Sequence, residues 1–155
     1  MWVFGYGSLM WDKWQEGKHC IRVQKARLVG YRRSLNKASI SNWGTKTSPC
    51  PTLNVVKQNG AFCEGLAFEF SDDSQHEILS YLRSREGKSF ELQKHKIVFD
   101  SGDHLEAYVP VYVGKSLLQK DNEELLNMAL QTVGTKGQCK DYIENLVAKL
   151  EELKI

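Results

Sequence analysis

No apolar run in this 155-residue sequence approaches the roughly 20 residues that a membrane-spanning helix needs. Metal-ligand spacings are absent too: the sequence has no C-x-x-C, no H-x-x-x-H and no acidic ligand loop, so we expect no metal site. The net charge is only +2, and basic and acidic residues are interspersed, which argues against nucleic acid or a membrane surface as a partner. The apolar N-terminus lacks the basic region of a signal peptide.

Cysteine is sparse and scattered. A chain of this length can bury a sizeable core without a disulfide, so we expect reduced cysteines and a cytoplasmic protein. The four cysteines are Cys20, Cys50, Cys63 and Cys139. With 41% hydrophobic and 26% charged residues the composition is that of a globular protein, and we expect a single domain over residues 1–155.

Apolar alternation and turn signals predict the secondary structure. They indicate about six strands, mostly antiparallel, with one helix in the middle of the chain and two at the end. The predicted strands cover residues 1–4, 20–35, 52–57, 61–70, 92–99 and 104–113, and the predicted helices cover residues 71–85, 121–133 and 138 onward. This combination is an α+β fold, in which helices pack against a closed or strongly curved sheet.

Three short motifs give more specific expectations. Asn59-Gly60 lies between two apolar-alternating runs, and an Asn-Gly pair in that setting predicts a tight hairpin turn. Residues 36–51 are polar and end with two closely spaced prolines, which predicts a long irregular loop. Ser74 and Glu77 have the spacing of a capping box at the start of the middle helix.

The first eleven residues contain a candidate binding motif. An apolar run ends at Phe4 and leads into Gly5 and Gly7, which predicts a strand followed by a tight turn. Successive backbone N–H groups in such a turn can form an anion-binding nest, although a turn that only reverses the chain would have the same sequence. Ser8 is a candidate nucleophile, but it lacks the glycines that a nucleophile elbow has two residues before and two residues after the serine.

Glu86 is the candidate general base. It lies seven residues after Leu79 and four after Leu82, so it continues the apolar stripe of the predicted middle helix. A carboxylate that faces the core is desolvated, desolvation raises its pKa, and a raised pKa suits a base that works near neutral pH. The other interpretation is an ion pair with Arg83 or Arg85 at a solvated helix end.

Tyr112 is a further candidate for the site. It stands near the end of the last predicted strand, just before Gly114. Its side chain either offers a hydroxyl to a pocket or packs with the hydroxyl at the rim. The histidines are other candidate bases, but none lies in a recognisable motif; they are His19, His76, His95 and His104.

Several stretches of the sequence resemble the ChaC-type γ-glutamylcyclotransferases. The opening is similar to the family's Tyr-Gly-Ser-Leu signature after a first strand. The end of the middle helix is similar to the family's tyrosine-leucine-x-x-arginine-glutamate motif. The matching stretches are Met1 to Trp11, Leu28 to Arg33, Ser41 to Thr45, Cys63 to Ala67, Tyr81 to Glu86 and Tyr112 to Gly114. With the C-terminal helices, the resemblance covers nearly the whole chain.

The resemblance implies a fold, a reaction and a partner. The fold would be the γ-glutamylcyclotransferase-like, mostly antiparallel β-barrel with flanking helices. In the family's reaction the α-amine of a γ-glutamyl group attacks its own γ-carbonyl, which yields 5-oxoproline and releases an amine. In the ChaC branch the substrate is glutathione, and the released product is cysteinylglycine. The partner would therefore be a small-molecule γ-glutamyl substrate, and the resemblance implies that no cofactor is required.

The resemblance also assigns roles to the candidate residues. Glu86 would be the general base that removes the proton from the attacking ammonium group. The turn would bind the substrate and stabilise the oxyanion of the tetrahedral intermediate through backbone N–H groups. Tyr112 would line the pocket. The residues of the turn are Tyr6, Gly7, Ser8 and Leu9.

Two positions depart from the family pattern. Trp43 stands where the family has an arginine before the Gly-Thr of its mid-chain loop, and Phe90 stands where the family has a tyrosine after the glutamate. Both bear on which γ-glutamyl compound the protein accepts. An alternative therefore stays open: a non-catalytic module of the same fold that binds a small carboxylate ligand.

Overall fold

A computed structural model describes residues 1–155. No helix combines the length and the apolar character that crossing a membrane requires. The elements are β1 (Trp2–Gly5), a 3₁₀ turn (Ser8–Met10), β2 (Arg22–Ser39), β3 (Cys50–Glu69), a second 3₁₀ turn (Asp72–Ser74), α1 (Gln75–Glu86), β4 (Phe90–Phe99), β5 (His104–Tyr112), α2 (Asn122–Gln131), β6 (Val133–Gly134), β7 (Gly137–Gln138) and α3 (Cys139–Leu153). The chain divides into two compact units, residues 1–33 with 55–114 and residues 34–54 with 115–155.

Five strands form a closed barrel in the order β1-β3-β2-β4-β5. β1 pairs antiparallel with β3, and β4 pairs antiparallel with both β2 and β5. A parallel bridge between Val3 and Tyr108 joins β1 to β5. Closure leaves no strand of the barrel with an unpaired edge. The predicted α+β class and the mostly antiparallel barrel with flanking helices are confirmed.

In the first unit, α1 is held by its predicted apolar stripe. Ile78 and Leu82 are fully buried and share one cluster with Val3 of β1 and Phe68 of β3. Burying a side chain of this kind contributes about 1.5–3 kcal/mol. The cluster thereby fixes α1, which ends at Glu86, against β1, which leads into the first 3₁₀ turn.

The hairpin predicted at Asn59-Gly60 is wrong. β3 runs through both residues as one strand of 20 residues. Gly60 has a positive φ of 76°, which a bulge within a strand accommodates as readily as a turn does. β3 lies between β1 and β2 in the barrel, and its pairing with β1 is confined to Leu66–Glu69, after the dipeptide.

The loop predicted over residues 36–51 is shorter than expected. β2 continues to Ser39 and β3 begins at Cys50, so the irregular connection covers residues 40–49. Pro51 is the second residue of β3 and is fully buried. A proline near the start of a strand removes little pairing, which is why it does not exclude β3 here.

The two predictions about the ends of α1 have different outcomes. The capping box predicted at Ser74 is wrong, because that side chain makes no capping hydrogen bond. Ser71 is the cap instead: its hydroxyl accepts from the Asp73 N–H at 3.3 Å and starts the 3₁₀ turn that precedes the helix. The end predicted at residue 85 is confirmed to within one residue, since α1 stops at Glu86 and Gly87 follows.

In the second unit, a disulfide overturns the expectation of reduced cysteines. Cys50 at the start of β3 and Cys139 at the start of α3 are bonded, with their Cα atoms 5.5 Å apart. Both are fully buried beside Ala129 of α2. The two cysteines are 89 residues apart in sequence, and this spacing does not predict their distance in space. The packing of the two elements decides that distance.

The other two cysteines are free, as expected. Cys63 is buried in β3, and burial raises the pKa of its thiol to about 11. Burial also raises the pKa of the Cys20 thiol. Both side chains therefore stay protonated near neutral pH and are poor nucleophiles.

Candidate active site

The turn after β1 is held by its own backbone. The Met10 N–H donates to the Gly7 carbonyl at 2.8 Å, and Gly7 is the N-cap of the 3₁₀ turn. Gly5 lets the chain fold back on the strand, since a Cβ there would lie 2.8 Å from the Leu9 Cβ. The first N–H groups of a helical turn have no acceptor within the turn. The N–H groups of Ser8 and Leu9 are therefore the candidate donors to an anion.

Tyr6 anchors this turn to the barrel. Its buried hydroxyl donates to the Pro110 carbonyl of β5 at 2.8 Å. Its own carbonyl accepts from the Arg33 Nε–H at 3.1 Å, and Arg33 also donates to the Glu64 carbonyl of β3. Arg33 was not singled out from the sequence. One feature of the sequence could have identified Arg33: it is a charged residue inside a predicted strand, and a charge that is buried there needs polar partners.

Glu86 is the last residue of α1, and only 15% of its side chain is exposed. Its Oε1 atom forms an ion pair with the Arg85 Nη1 atom. Both interpretations of this residue therefore hold in part. The carboxylate is largely buried, as the apolar stripe predicted, and it is paired with Arg85, whereas Arg83 is exposed.

Arg85 connects the end of α1 to the turn after β1. Its Nη2 atom donates to the Ser8 hydroxyl at 3.0 Å and forms an ion pair with the Asp12 carboxylate. The side chain is 11% exposed. Burial lowers the pKa of Arg85, but the carboxylates of Glu86 and Asp12 raise it by more, so the net direction is upward. The guanidinium thus stays charged between the candidate base and the candidate binding turn.

Tyr112 is the last residue of β5 and lies opposite Phe90, the first residue of β4. The two rings meet edge to face with their centroids 5.3 Å apart. A Cβ on Gly114 would lie 2.5 Å from the Tyr112 hydroxyl oxygen, so the ring covers that glycine. Pro110, which accepts the hydrogen bond from Tyr6, lies two residues before Tyr112. One end of β5 therefore holds Tyr112 and anchors the turn.

Two other sequence candidates have contacts of their own. Trp43 belongs to the second unit, where its ring centroid is 5.6 Å from that of Tyr142. His95 of β4 lies 3.2 Å from the Tyr31 hydroxyl, and burial lowers the pKa of its imidazole. No group of three histidine, cysteine, aspartate or glutamate side chains is arranged to hold a metal ion.

Tyr6→Phe tests whether the hydroxyl of Tyr6 is structural. The change leaves the buried Pro110 carbonyl without its donor, which is expected to lower the free energy of unfolding by about 1–3 kcal/mol. Urea titration followed by circular dichroism measures the loss. Tyr81→Phe is the matched control: this half-buried ring packs on Trp14, no hydrogen bond to its hydroxyl is present, and its stability should change by less than about 0.5 kcal/mol. Equal stability of both variants would contradict the anchoring role.

A comparison of folds defines the class of protein. A solved yeast structure, described as a γ-glutamyl cyclotransferase specific to glutathione, matches with a TM-score of 0.86 over 100% of this chain and 88% of that chain. The two sequences are 16% identical, so the match establishes the fold alone. The barrel and its flanking helices therefore have the γ-glutamyl cyclotransferase fold.

The family follows from the sequence comparison. The family described as ChaC-like protein matches residues 1–155, and this chain belongs to that family. Gamma-glutamylcyclotransferase 2-3 of Arabidopsis thaliana is 27% identical over 99% of this chain and 81% of its own length. Glutathione-specific gamma-glutamylcyclotransferase 1 of Danio rerio is 25% identical over 94% of this chain and 76% of its own length. The resemblance drawn from the motifs is confirmed.

Proposed function

We propose that this protein is a γ-glutamylcyclotransferase that converts glutathione to 5-oxoproline and cysteinylglycine. The observation that carries the proposal is the link that Arg85 makes between the Glu86 carboxylate and the Ser8 turn. A candidate base and a candidate oxyanion site are thereby held together in one unit. The names of the Arabidopsis and zebrafish relatives support the same reaction, and the zebrafish name supports glutathione as substrate.

The reaction begins with a proton transfer. The α-ammonium group of the glutamyl moiety has a pKa of about 8, so most of it is protonated near neutral pH and cannot attack. Glu86 removes one proton. The freed amine then attacks the γ-carbonyl carbon of the same molecule, and a five-membered ring closes. Holding the substrate folded supplies much of the rate, because the nucleophile and the carbonyl belong to one molecule.

The tetrahedral intermediate places a negative charge on the former carbonyl oxygen. The N–H groups of Ser8 and Leu9 stabilise this oxyanion, and a donor of this kind typically contributes about 3 kcal/mol. The intermediate collapses as the bond from the γ-carbon to the cysteinyl nitrogen breaks. Glu86 gives its proton to the leaving nitrogen. The ring nitrogen still carries two hydrogens and a positive charge after the attack, and one of these protons passes to the released amine or to water, so atoms and charge balance without a cofactor. Tyr112 and the backbone around Tyr6 and Gly7 form the rest of the binding surface.

We also propose that residues 1–155 act as one domain in the cytoplasm. A single family match from end to end supports the first statement. The second rests on the proposed substrate, since glutathione is a principal thiol of the reducing cytosol. The Cys50–Cys139 disulfide is compatible with that compartment because both residues are fully buried, and thiol exchange requires that an attacking thiolate reach a sulfur atom.

The direct test is to incubate the protein with glutathione and to detect 5-oxoproline and cysteinylglycine by mass spectrometry. A panel of γ-glutamyl dipeptides and γ-glutamyl amines in the same assay determines the substrate range, on which Trp43 and Phe90 bear as departures from the family pattern. Release of both products from glutathione is the expected result. Saturable binding of glutathione without any product would support the carboxylate-binding module instead.

Ser8→Ala distinguishes the cyclotransferase from a serine hydrolase. The proposed reaction uses the Ser8 backbone N–H, and the hydroxyl serves only as an acceptor for Arg85 at 3.0 Å. Losing that one contact is expected to lower kcat by less than about tenfold, in line with a net hydrogen-bond contribution of about 1 kcal/mol. Initial-rate measurement of 5-oxoproline formation checks this. Complete loss of activity would assign the hydroxyl a chemical role that the proposed mechanism does not contain.

A further inference from the structure

Arg85 contacts oxygen atoms of three residues that come from two separate parts of the chain. It pairs with Glu86 on its own helix and reaches both Ser8 and Asp12 after β1, which lie 77 and 73 residues earlier in sequence. A guanidinium presents donors in a planar fork, which suits several acceptors at fixed angles. A lysine ammonium could neutralise the charge here but could not hold three oxygens in the same geometry.

Asp12 is itself held in place. Its other carboxylate oxygen, Oδ1, accepts from the Trp14 N–H at 3.3 Å. The Trp14 ring is buried in the cluster that contains Phe68 and Phe70, with ring centroids 5.2 Å and 5.4 Å away. A chain of contacts therefore runs from the core through Asp12 to Arg85. Asp12 and Glu86 both form ion pairs with the Arg85 guanidinium.

We propose that Arg85 is a positioning residue that fixes the Glu86 carboxylate relative to the Ser8 turn, and that Asp12 acts through Arg85. This inference rests on the proposed function, in which Glu86 takes the proton and the turn binds the oxyanion. Arg85 touches the base and the turn and takes no part in the proton transfer. Its contribution is the distance and angle between the two groups, and misplacement by about 1 Å can lower a rate by about 100-fold.

Kinetics of Arg85→Gln, Arg85→Lys and Asp12→Asn test the proposal. We expect kcat to fall about 100-fold for Arg85→Gln and about tenfold for Asp12→Asn, with Arg85→Lys between them. KM should change by less than about threefold, because the backbone bonds of the turn and the Tyr6 anchor do not involve Arg85. Arg83→Gln is the matched control: it is an exposed arginine in the same last turn of α1, and its kinetics should equal those of the parent.

A double-mutant cycle isolates the coupling. If Asp12 acts only through Arg85, Asp12→Asn has no further effect on kcat once Arg85→Gln is present. An equal effect of Asp12→Asn in both backgrounds would overturn the proposal, as would parent-like kinetics of Arg85→Gln. Thermal melting of each variant identifies any that are unfolded. If Arg85→Gln does not fold, the same cycle is measured with Arg85→Lys and Asp12→Asn.

A second readout does not depend on turnover. In ¹H–¹⁵N spectra, Glu86→Gln should shift the amide signals of Ser8 and Leu9 in the parent background and leave them in place in the Arg85→Gln background. If Glu86→Gln shifts these amide signals equally in both backgrounds, the inference is overturned even if the enzyme is active. If the parent releases no 5-oxoproline from any γ-glutamyl compound, the proposed function fails, and the spectra alone decide whether Arg85 couples the two groups.

Discussion

Glu86→Gln is expected to lower kcat for glutathione by roughly 10³-fold, because an amide cannot accept the ammonium proton and general-base catalysis contributes about 10²–10⁴-fold. Glutamine keeps the size of the side chain, and its carbonyl oxygen can still accept from the Arg85 Nη1 atom. We therefore expect native stability and a KM close to that of the parent. The measurement is steady-state formation of 5-oxoproline, together with thermal melting.

Glu77→Gln is the matched control for that substitution. Glu77 lies on the same helix but is exposed in its first turn, so its loss should leave the kinetics unchanged. Turnover by Glu86→Gln within tenfold of the parent would mean that another group is the base. A Glu86→Gln protein that is inactive because it is unfolded is recognised by its melting curve, and Glu86→Asp then serves as the test, since it keeps a carboxylate but retracts it by one methylene group.

Reduction of the Cys50–Cys139 disulfide is expected to lower the free energy of unfolding by about 4 kcal/mol. The bond closes a loop of 89 residues, and in the chain-entropy model a cross-link over such a length restricts the unfolded chain by about 4–5 kcal/mol. Both sulfur atoms remain in the reduced protein, so the comparison introduces no cavity. Urea unfolding with and without a phosphine reductant measures the difference.

A double variant, Cys50→Ala with Cys139→Ala, provides the control for the reductant. Its urea midpoint should not respond to the phosphine, because the remaining cysteines, Cys20 and Cys63, are free in the native protein. Thiol titration of the unreduced, denatured parent should count two thiols. A count of four, or a midpoint of the parent that ignores reductant, would contradict the disulfide.

Several predictions that depended on the spacing of neighbouring residues were accurate. The stripe of Ile78, Leu79 and Leu82 predicted α1 and its buried face, because residues three and four apart share one side of a helix. The separate strands over residues 92–99 and 104–113 and the start of a helix at residue 121 were also predicted, and Asp121 forms a capping box with Glu124. Each of these features is decided by interactions within one or two turns of chain.

Errors arose where residues outside a short motif outweigh the preference of that motif. Asn59-Gly60 has the composition of a hairpin turn, but β3 continues through it as one strand of the barrel. Ser74 has the spacing of a capping box, but Ser71 starts a 3₁₀ turn three residues earlier. A strand gains backbone hydrogen bonds from its neighbours in the sheet, and these exceed the modest preference of a dipeptide.

The sequence by itself determined the family motifs, the helices and the candidate base at the end of α1, because these depend on residue identity and short spacing. Only the tertiary structure decided that Arg85 joins Glu86 to Ser8 and Asp12, that Arg33 and Pro110 hold Tyr6, and that Cys50 meets Cys139. Apart from the adjacent Arg85–Glu86 pair, these contacts join residues 27 to 104 positions apart. No local pattern encodes them, because closing the barrel and packing the helices is what brings those atoms within reach.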